Sequence, residues 1–253
     1  MAENQRTPHI FNVAPSDLTS VSQAKVFFGH QSVGMNVLDG VRMVYAAHNM
    51  IAPLIERGVT MPSGGAGVIE HEFIGENKKP LLKIQDFDAK LRAAGLGNSV
   101  DVAMMKFCFL DVEKGTNVEE LFAAYRATMA DLQRDFPNLT IVHATVSLTT
   151  EQGFMSKLKS WVTGSDKSSE ADNAAREQLN ALIRKEYAGK HLFDLAAAES
   201  TLPDGTRAGG TYEGMPYYQL YDGYAANYGH LNDAGAQSAA TAWLSVVAQA
   251  AAK

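Results

Sequence analysis

Short apolar runs alternate along this chain with longer stretches in which apolar residues recur at helical spacing. Lys25-Val26-Phe27-Phe28-Gly29 is an apolar run closed by a glycine, the pattern of a buried strand. From Gly34 to Ile55 the apolar positions Val37, Leu38, Val41, Val44 and Tyr45 fall at helical spacing, so a turn and a helix follow directly. Residues 58–80 carry Pro62, Ser63, Gly64, Gly65, Gly67, Gly75, Asn77 and Pro80, which predicts a long loop with a short strand inside it. Residues 81–95 read as a helix through Leu82, Ile84, Phe87 and Leu91, ending at Gly95. Val100 to Leu110 is the strongest central-strand pattern, and Leu139 to Val146 is a second. Between them lies an amphipathic helix over 117–135, capped by Asn117, with Glu119 and Glu120 in the turn where the helix dipole favours acids. A polar segment over 149–170 precedes a helix to about 187, then a short strand from His191 to Leu195. A Gly- and Tyr-rich loop fills 203–229, and Asp233 to Ala251 forms an Ala-rich terminal helix.

This alternation predicts an α/β fold with three layers, a central parallel sheet covered by helices on both faces. Residues 1–22, polar and containing Pro8 and Pro15, are expected as an irregular lead-in, and 23–253 as a single domain. With 46% hydrophobic and 20% charged residues, the 253-residue chain falls in the globular class. Its net charge of −6, with Lys and Arg scattered, argues against a nucleic-acid partner. No apolar stretch approaches the roughly 20 residues of a membrane-spanning helix. The single cysteine, Cys108, excludes an internal disulfide and a cysteine-based zinc cluster. The opening MAENQRTPH has neither a basic nor an apolar leader region, so no signal peptide is expected in this chain. The same opening also suits a periplasmic or secreted protein whose leader has been removed.

Two segments carry the candidate chemistry. In Gly29-His30-Gln31-Ser32-Val33-Gly34 a serine stands between the first strand and the first helix. Ligands of open α/β sheets bind beyond the carboxyl ends of the strands, and a helix N-terminus offers N–H groups to a developing oxyanion. Ser32 also suits a plain helix cap. The second segment runs from Asp222 to Gly235 and places His230 just before the last helix. A serine hydroxyl needs an imidazole to take its proton, and the imidazole needs a partner to fix its tautomer. Asp222 is the first choice for that partner, although Asp-Gly is also a common turn pair. Asn227, through its side-chain carbonyl, and Asp111, at a strand end, are the alternatives.

On these two blocks the chain resembles the SGNH (GDSL-type) hydrolases, a family of flavodoxin-like fold whose nucleophile follows the first strand and whose histidine precedes the last helix. Gly29-His30-Gln31-Ser32 stands where that family usually has Gly-Asp-Ser. The family's Asp-x-x-His becomes Asn227-x-x-His230, and His230-Leu231-Asn232 leads to Gly235 and an Ala-rich helix, as in the family pattern. The resemblance spans roughly residues 25–250 and implies a serine esterase acting on small O-acyl groups, acetyl above all, of a carbohydrate or another small molecule, with no cofactor and no metal. It also implies oxyanion donors from a glycine after the second strand, matched here by Gly75, and from an asparagine after the third. Lys106-Phe-Cys-Phe-Leu-Asp111 lacks that asparagine, and Asn77 is the expected substitute. His30 is expected to bind substrate or donate to the oxyanion, or else to pack under the loop against a backbone carbonyl.

Lys106 inside an apolar strand is unusual, since lysine is rarely buried unless paired; a partner such as Asp111 or snorkelling at the strand end accounts for it, and contact with an acidic sugar at the pocket edge is the functional alternative. Tyr212, Tyr217, Tyr218, Tyr221 and Tyr224 crowd the loop before His230, where they suit either stacking on sugar rings or packing within the loop. A lipase-like nucleophile elbow is disfavoured because His30 occupies the position of its first glycine. His30, His71, His143 and His230 fall in no metal-ligand spacing. A non-catalytic carbohydrate-binding relative and a sugar O-acetyltransferase are the competing functions on the same fold.

Overall fold

The structure is a computed structural model that describes residues 12–58, 67–151 and 169–252. Strands β1 (Lys25–His30), β2 (Leu54–Arg57), β3 (Val68–Phe73), β4 (Val102–Met105), β5 (Thr140–Ala144) and β6 (Leu192–Phe193) form one sheet in the order β2-β3-β1-β4-β5-β6. Every pairing in it is parallel. The chain leaves β1 toward one edge and returns later to build the other, so the order switches between β1 and β4. The crevice outside the carboxyl ends of such a pair is where open α/β sheets place ligands.

Helices cover both faces, as the alternation predicts. Successive residues of β1 point to opposite sides: Val26 and Phe28 enter one core, Phe27 the other. The first core is built with α1 (Pro15–Gln23), α2 (Ser32–Ala47), α6 (Leu195–Ser200) and α7 (Asp233–Ala251), around Val37, Leu38, Trp243 and Leu244. The second is built with α3 (Pro80–Arg92), α4 (Val118–Asp135) and α5 (Ser169–Glu186), around Phe87, Leu121, Leu132 and Leu179. Helix α4 carries the predicted cap, Asn117 Oδ1 accepting the Glu120 N–H at 3.2 Å. Helices α2 and α7 approach closely at Gly40, where a Cβ would stand 2.1 Å from the Ala236 carbonyl oxygen. That contact joins the helix that begins at Ser32 to the helix that follows His230.

Several expectations are corrected. Residues 15–23 are helical, not irregular: Pro15 starts the helix and Leu18 and Val21 bury fully against the first core. Helix α2 ends at Ala47, because Asn49 takes a left-handed φ of 54° and Pro53 cannot continue it; residues 54–57 instead form the edge strand β2. The third-strand pattern gives only Val102–Met105, after which the Asp111 side chain draws the chain into a 3-10 turn over Phe109–Asp111. The Tyr-rich loop contains an antiparallel hairpin of β7 (Gly209–Tyr212) and β8 (Met215–Tyr218). Most of the polar segment expected over 149–170 lies outside the described residues. Among the described residues no helix is long and apolar enough to cross a membrane.

Candidate active site

Ser32 is the first residue of α2 and His230 lies three residues before α7, so the close packing of these helices brings together side chains 198 positions apart. His230 Nε2 stands 2.9 Å from Ser32 Oγ. The other ring nitrogen, Nδ1, stands 2.9 Å from Asn227 Oδ1, and that same oxygen accepts the backbone N–H groups of Gly229 and His230, each at 3.2 Å. An oxygen that already receives two N–H donors cannot itself donate, so Nδ1 must carry the ring proton of the neutral imidazole and Nε2 must accept from Ser32. The Phe109 ring meets the imidazole edge-on at 6.0 Å between centroids. Asn36, one turn along α2 from Ser32, accepts the Leu231 N–H at 3.2 Å and ties the histidine loop to the serine helix.

Asp222 does not occupy the place expected of it. It lies exposed in a 3-10 turn over Asp222–Tyr224, while both imidazole nitrogens are engaged by Asn227 and Ser32. A proximal Asx turn won over a carboxylate eight residues away. Asp111 is not beside the imidazole either. It is buried and accepts from Lys83 Nζ at 2.5 Å, Cys108 N at 2.6 Å and Lys78 N at 2.9 Å, which clamps the β3–α3 loop to the β4 exit.

His30 is fully buried, and its ring lies under the first turn of α2, where a Cβ at Gly34 would meet its Cγ at 2.2 Å. Nδ1–H donates to the Gln31 carbonyl at 2.7 Å, which leaves Nε2 to accept from His71 Nδ1–H at 3.1 Å. Burial lowers its pKa to about 3, so this imidazole stays neutral and supports the turn; it is not placed to touch substrate.

The glycine after β3 is present but occupied. Gly75 adopts a left-handed φ of 51° and its N–H donates to Asp86 Oδ2 at 2.9 Å, so that donor is not free for an oxyanion. Asn77 is exposed on the same loop. Lys83 Nζ donates to its Oδ1 at 2.9 Å, which turns the amide so that Nδ2 is the end left open. Gln31 Nε2 donates to the Ile74 carbonyl at 2.8 Å and holds this loop beside the serine. The Ser32 and Val33 N–H groups, in the first turn of α2, have no acceptor among the described residues. Gln31, Asn36, Lys83, Asp86 and Phe109 escaped the sequence reading; only Asn36, at helical spacing from Ser32, carried a local signal.

The tyrosines are partly consumed by packing. Tyr217 is buried, Tyr218 lies 3.3 Å below the Arg207 guanidinium carbon, and Tyr221 meets Tyr224 edge-on at 5.1 Å. Lys106 is fully buried, but the ion pair of Asp111 is with Lys83, not with it.

No family model and no curated protein matches the chain. Solved structures similar to it include a protein assigned as a platelet activating factor from Streptococcus pneumonia (16% identity, TM-score 0.49, covering 90% of this chain and 87% of that one). A lipolytic protein assigned to the G-D-S-L family from Desulfitobacterium hafniense DCB-2 is similar at 10% identity and TM-score 0.48, covering 88% and 99%. The C-terminal catalytic domain of Streptococcus pneumoniae peptidoglycan O-acetyltransferase A is similar at 10% identity and TM-score 0.42, covering 91% and 95%.

Proposed function

We propose that this chain is a serine esterase that removes small O-acyl groups, acetyl above all, from a carbohydrate or another small ester. The observation that carries the reading is the 2.9 Å contact between Ser32 Oγ and His230 Nε2, with the ring tautomer fixed by Asn227. Ser32 Oγ attacks the ester carbonyl carbon as its proton passes to Nε2. The tetrahedral intermediate collapses, the imidazolium returns the proton to the departing alkoxide, and an acyl-serine remains. Water repeats the sequence in reverse, releasing the carboxylic acid and restoring Ser32. The Ser32 N–H at the start of α2 and the Asn77 Nδ2 amide are the proposed oxyanion donors, a pair that replaces the occupied Gly75 N–H.

Asn227 in the third position supplies orientation without charge. It can hold the Nδ1–H tautomer but gives the transient imidazolium no carboxylate, so turnover should be modest for a serine hydrolase. The purified protein should hydrolyse p-nitrophenyl acetate faster than its longer-chain esters. Ser32→Ala and His230→Ala should each lower kcat by about 10³-fold or more with thermal unfolding unchanged. Full activity in either variant rejects the assignment.

A second reading, a carbohydrate-binding relative without hydrolysis, draws on the Gly75 N–H being held by Asp86. It calls for sugar binding with no acyl-serine. Mass spectrometry of protein quenched during turnover separates the two, and acyl transfer to an added sugar in the same assay would mark a transferase.

A further inference from the structure

Lys106 is the residue that neither the fold nor the proposed reaction accounts for. Its side chain is fully buried, and its ammonium makes one hydrogen bond among the described residues, to the Phe107 carbonyl at 3.2 Å. Two N–H donors of a buried cation are thus left over, a costly arrangement in a stable protein. Its place in the fold is specific. The Lys106 N–H donates to the Gly29 carbonyl at 3.0 Å, extending the β1–β4 pairing to within three residues of Ser32. Lys106 also acts electrostatically on His30, whose ring lies directly under the first turn of α2. The charged and titratable groups that face it are His30 from β1, Lys83 from α3, Cys108 and Asp111 from the β4 exit, and Glu199 from α6. Glu199 Oε1 is itself buried without a hydrogen-bond partner among the described residues.

We propose that Lys106 is an electrostatic element of the Ser32 site: its ammonium, buried at the carboxyl end of β4 beside the strand that leads into the nucleophile's turn, favours the negative charge that forms on the acyl oxygen as Ser32 attacks. The inference rests on Ser32 being the nucleophile. Lys106 touches neither substrate nor the reacting atoms and acts through the field, which is strong where water is excluded. The Lys83 charge is answered at close range by Asp111, whereas among the described residues no carboxylate forms an ion pair with Lys106. A cation kept in the interior without an ion pair at contact distance among the described residues, at a cost to stability, fits a functional role better than a structural one.

The test separates those roles. Lys106→Met keeps the volume and removes the charge. The variant should unfold at the same or a higher temperature, yet show kcat for p-nitrophenyl acetate at least about tenfold lower with KM little changed. Labelling of Ser32 by phenylmethylsulfonyl fluoride should slow by a similar factor. Unchanged kcat in the folded variant, or a loss of activity matched by a loss of stability, overturns the proposal. A second measurement does not depend on that variant folding. Burial lowers the Lys106 pKa, so wild-type activity should fall as pH rises and the ammonium loses its proton. Glu199→Gln removes the carboxylate that Glu199 becomes above about pH 8, which favours the ammonium, and should move this alkaline limb to lower pH; an unmoved limb overturns the proposal. If Ser32→Ala retains turnover, the failure belongs to the assignment of the nucleophile and not to Lys106.

Discussion

At the scale of single residues, the proposed chemistry turns on the imidazole's partner. Asn227 lies three positions before His230 and folds back as an Asx turn, receiving two backbone N–H groups and the ring Nδ1–H on one oxygen. Replacing that amide by a carboxylate keeps the shape and adds a charge. Asn227→Asp should therefore favour the imidazolium that forms as the serine proton is taken up, and raise kcat for p-nitrophenyl acetate severalfold. An unchanged kcat in a folded variant would mean that this side chain does not serve the proposed reaction. The Asn-x-x-His spacing was visible in the chain; that Asn227 and not Asp222 faces the ring followed from the turn between them.

Among elements, the decisive contact joins α2 to α7. The serine starts one helix, the histidine precedes the other, and the Ser–His distance depends on how closely the two pack. Gly40 permits that approach, since a methyl group there would sit 2.1 Å from the Ala236 carbonyl oxygen. Gly40→Ala should force the helices apart, lower stability by about 1–3 kcal/mol by overpacking, and reduce kcat beyond any change in KM. Thermal unfolding and steady-state kinetics on the same preparation read both effects. Helix α7 and the capped helix α4 were legible because their patterns are long and carry their own start signals. The edge strand β2 was not, since its apolar residues Leu54 and Ile55 continue the spacing of α2 past a Pro53 break.

For the whole molecule, two buried histidines set an acid limit. Burial holds His30 and His143 near a pKa of about 3, below the usual value of 6.5. The unfolded chain binds these protons first, so their contribution is complete above pH 6.5 and is lost as pH falls toward 3. Each supplies a slope of up to about 1.4 kcal/mol per pH unit over that interval. Glu199, raised to about 8, works in the opposite sense where the intervals overlap, since its buried acid form is favoured at low pH. The thermal midpoint should decline between pH 6.5 and 4, and a midpoint that stays level would show that these rings are not enclosed and neutral. His30→Gln should flatten the decline without supplying a charge to the turn that carries Ser32.

The alternation of apolar runs with helical spacing, read from the chain alone, determined the three-layer parallel architecture and put Ser32 and His230 at the ends of their elements, because periodicity and turn chemistry are local properties. Which groups those side chains meet was settled only in three dimensions. Whether Asp222 reaches a ring, whether the Gly75 N–H is free, and whether Asp111 answers Lys83 or Lys106 depend on competition among groups far apart in sequence. A donor's choice of acceptor is fixed by distance and burial after the helices have packed, and no short stretch of sequence contains that information.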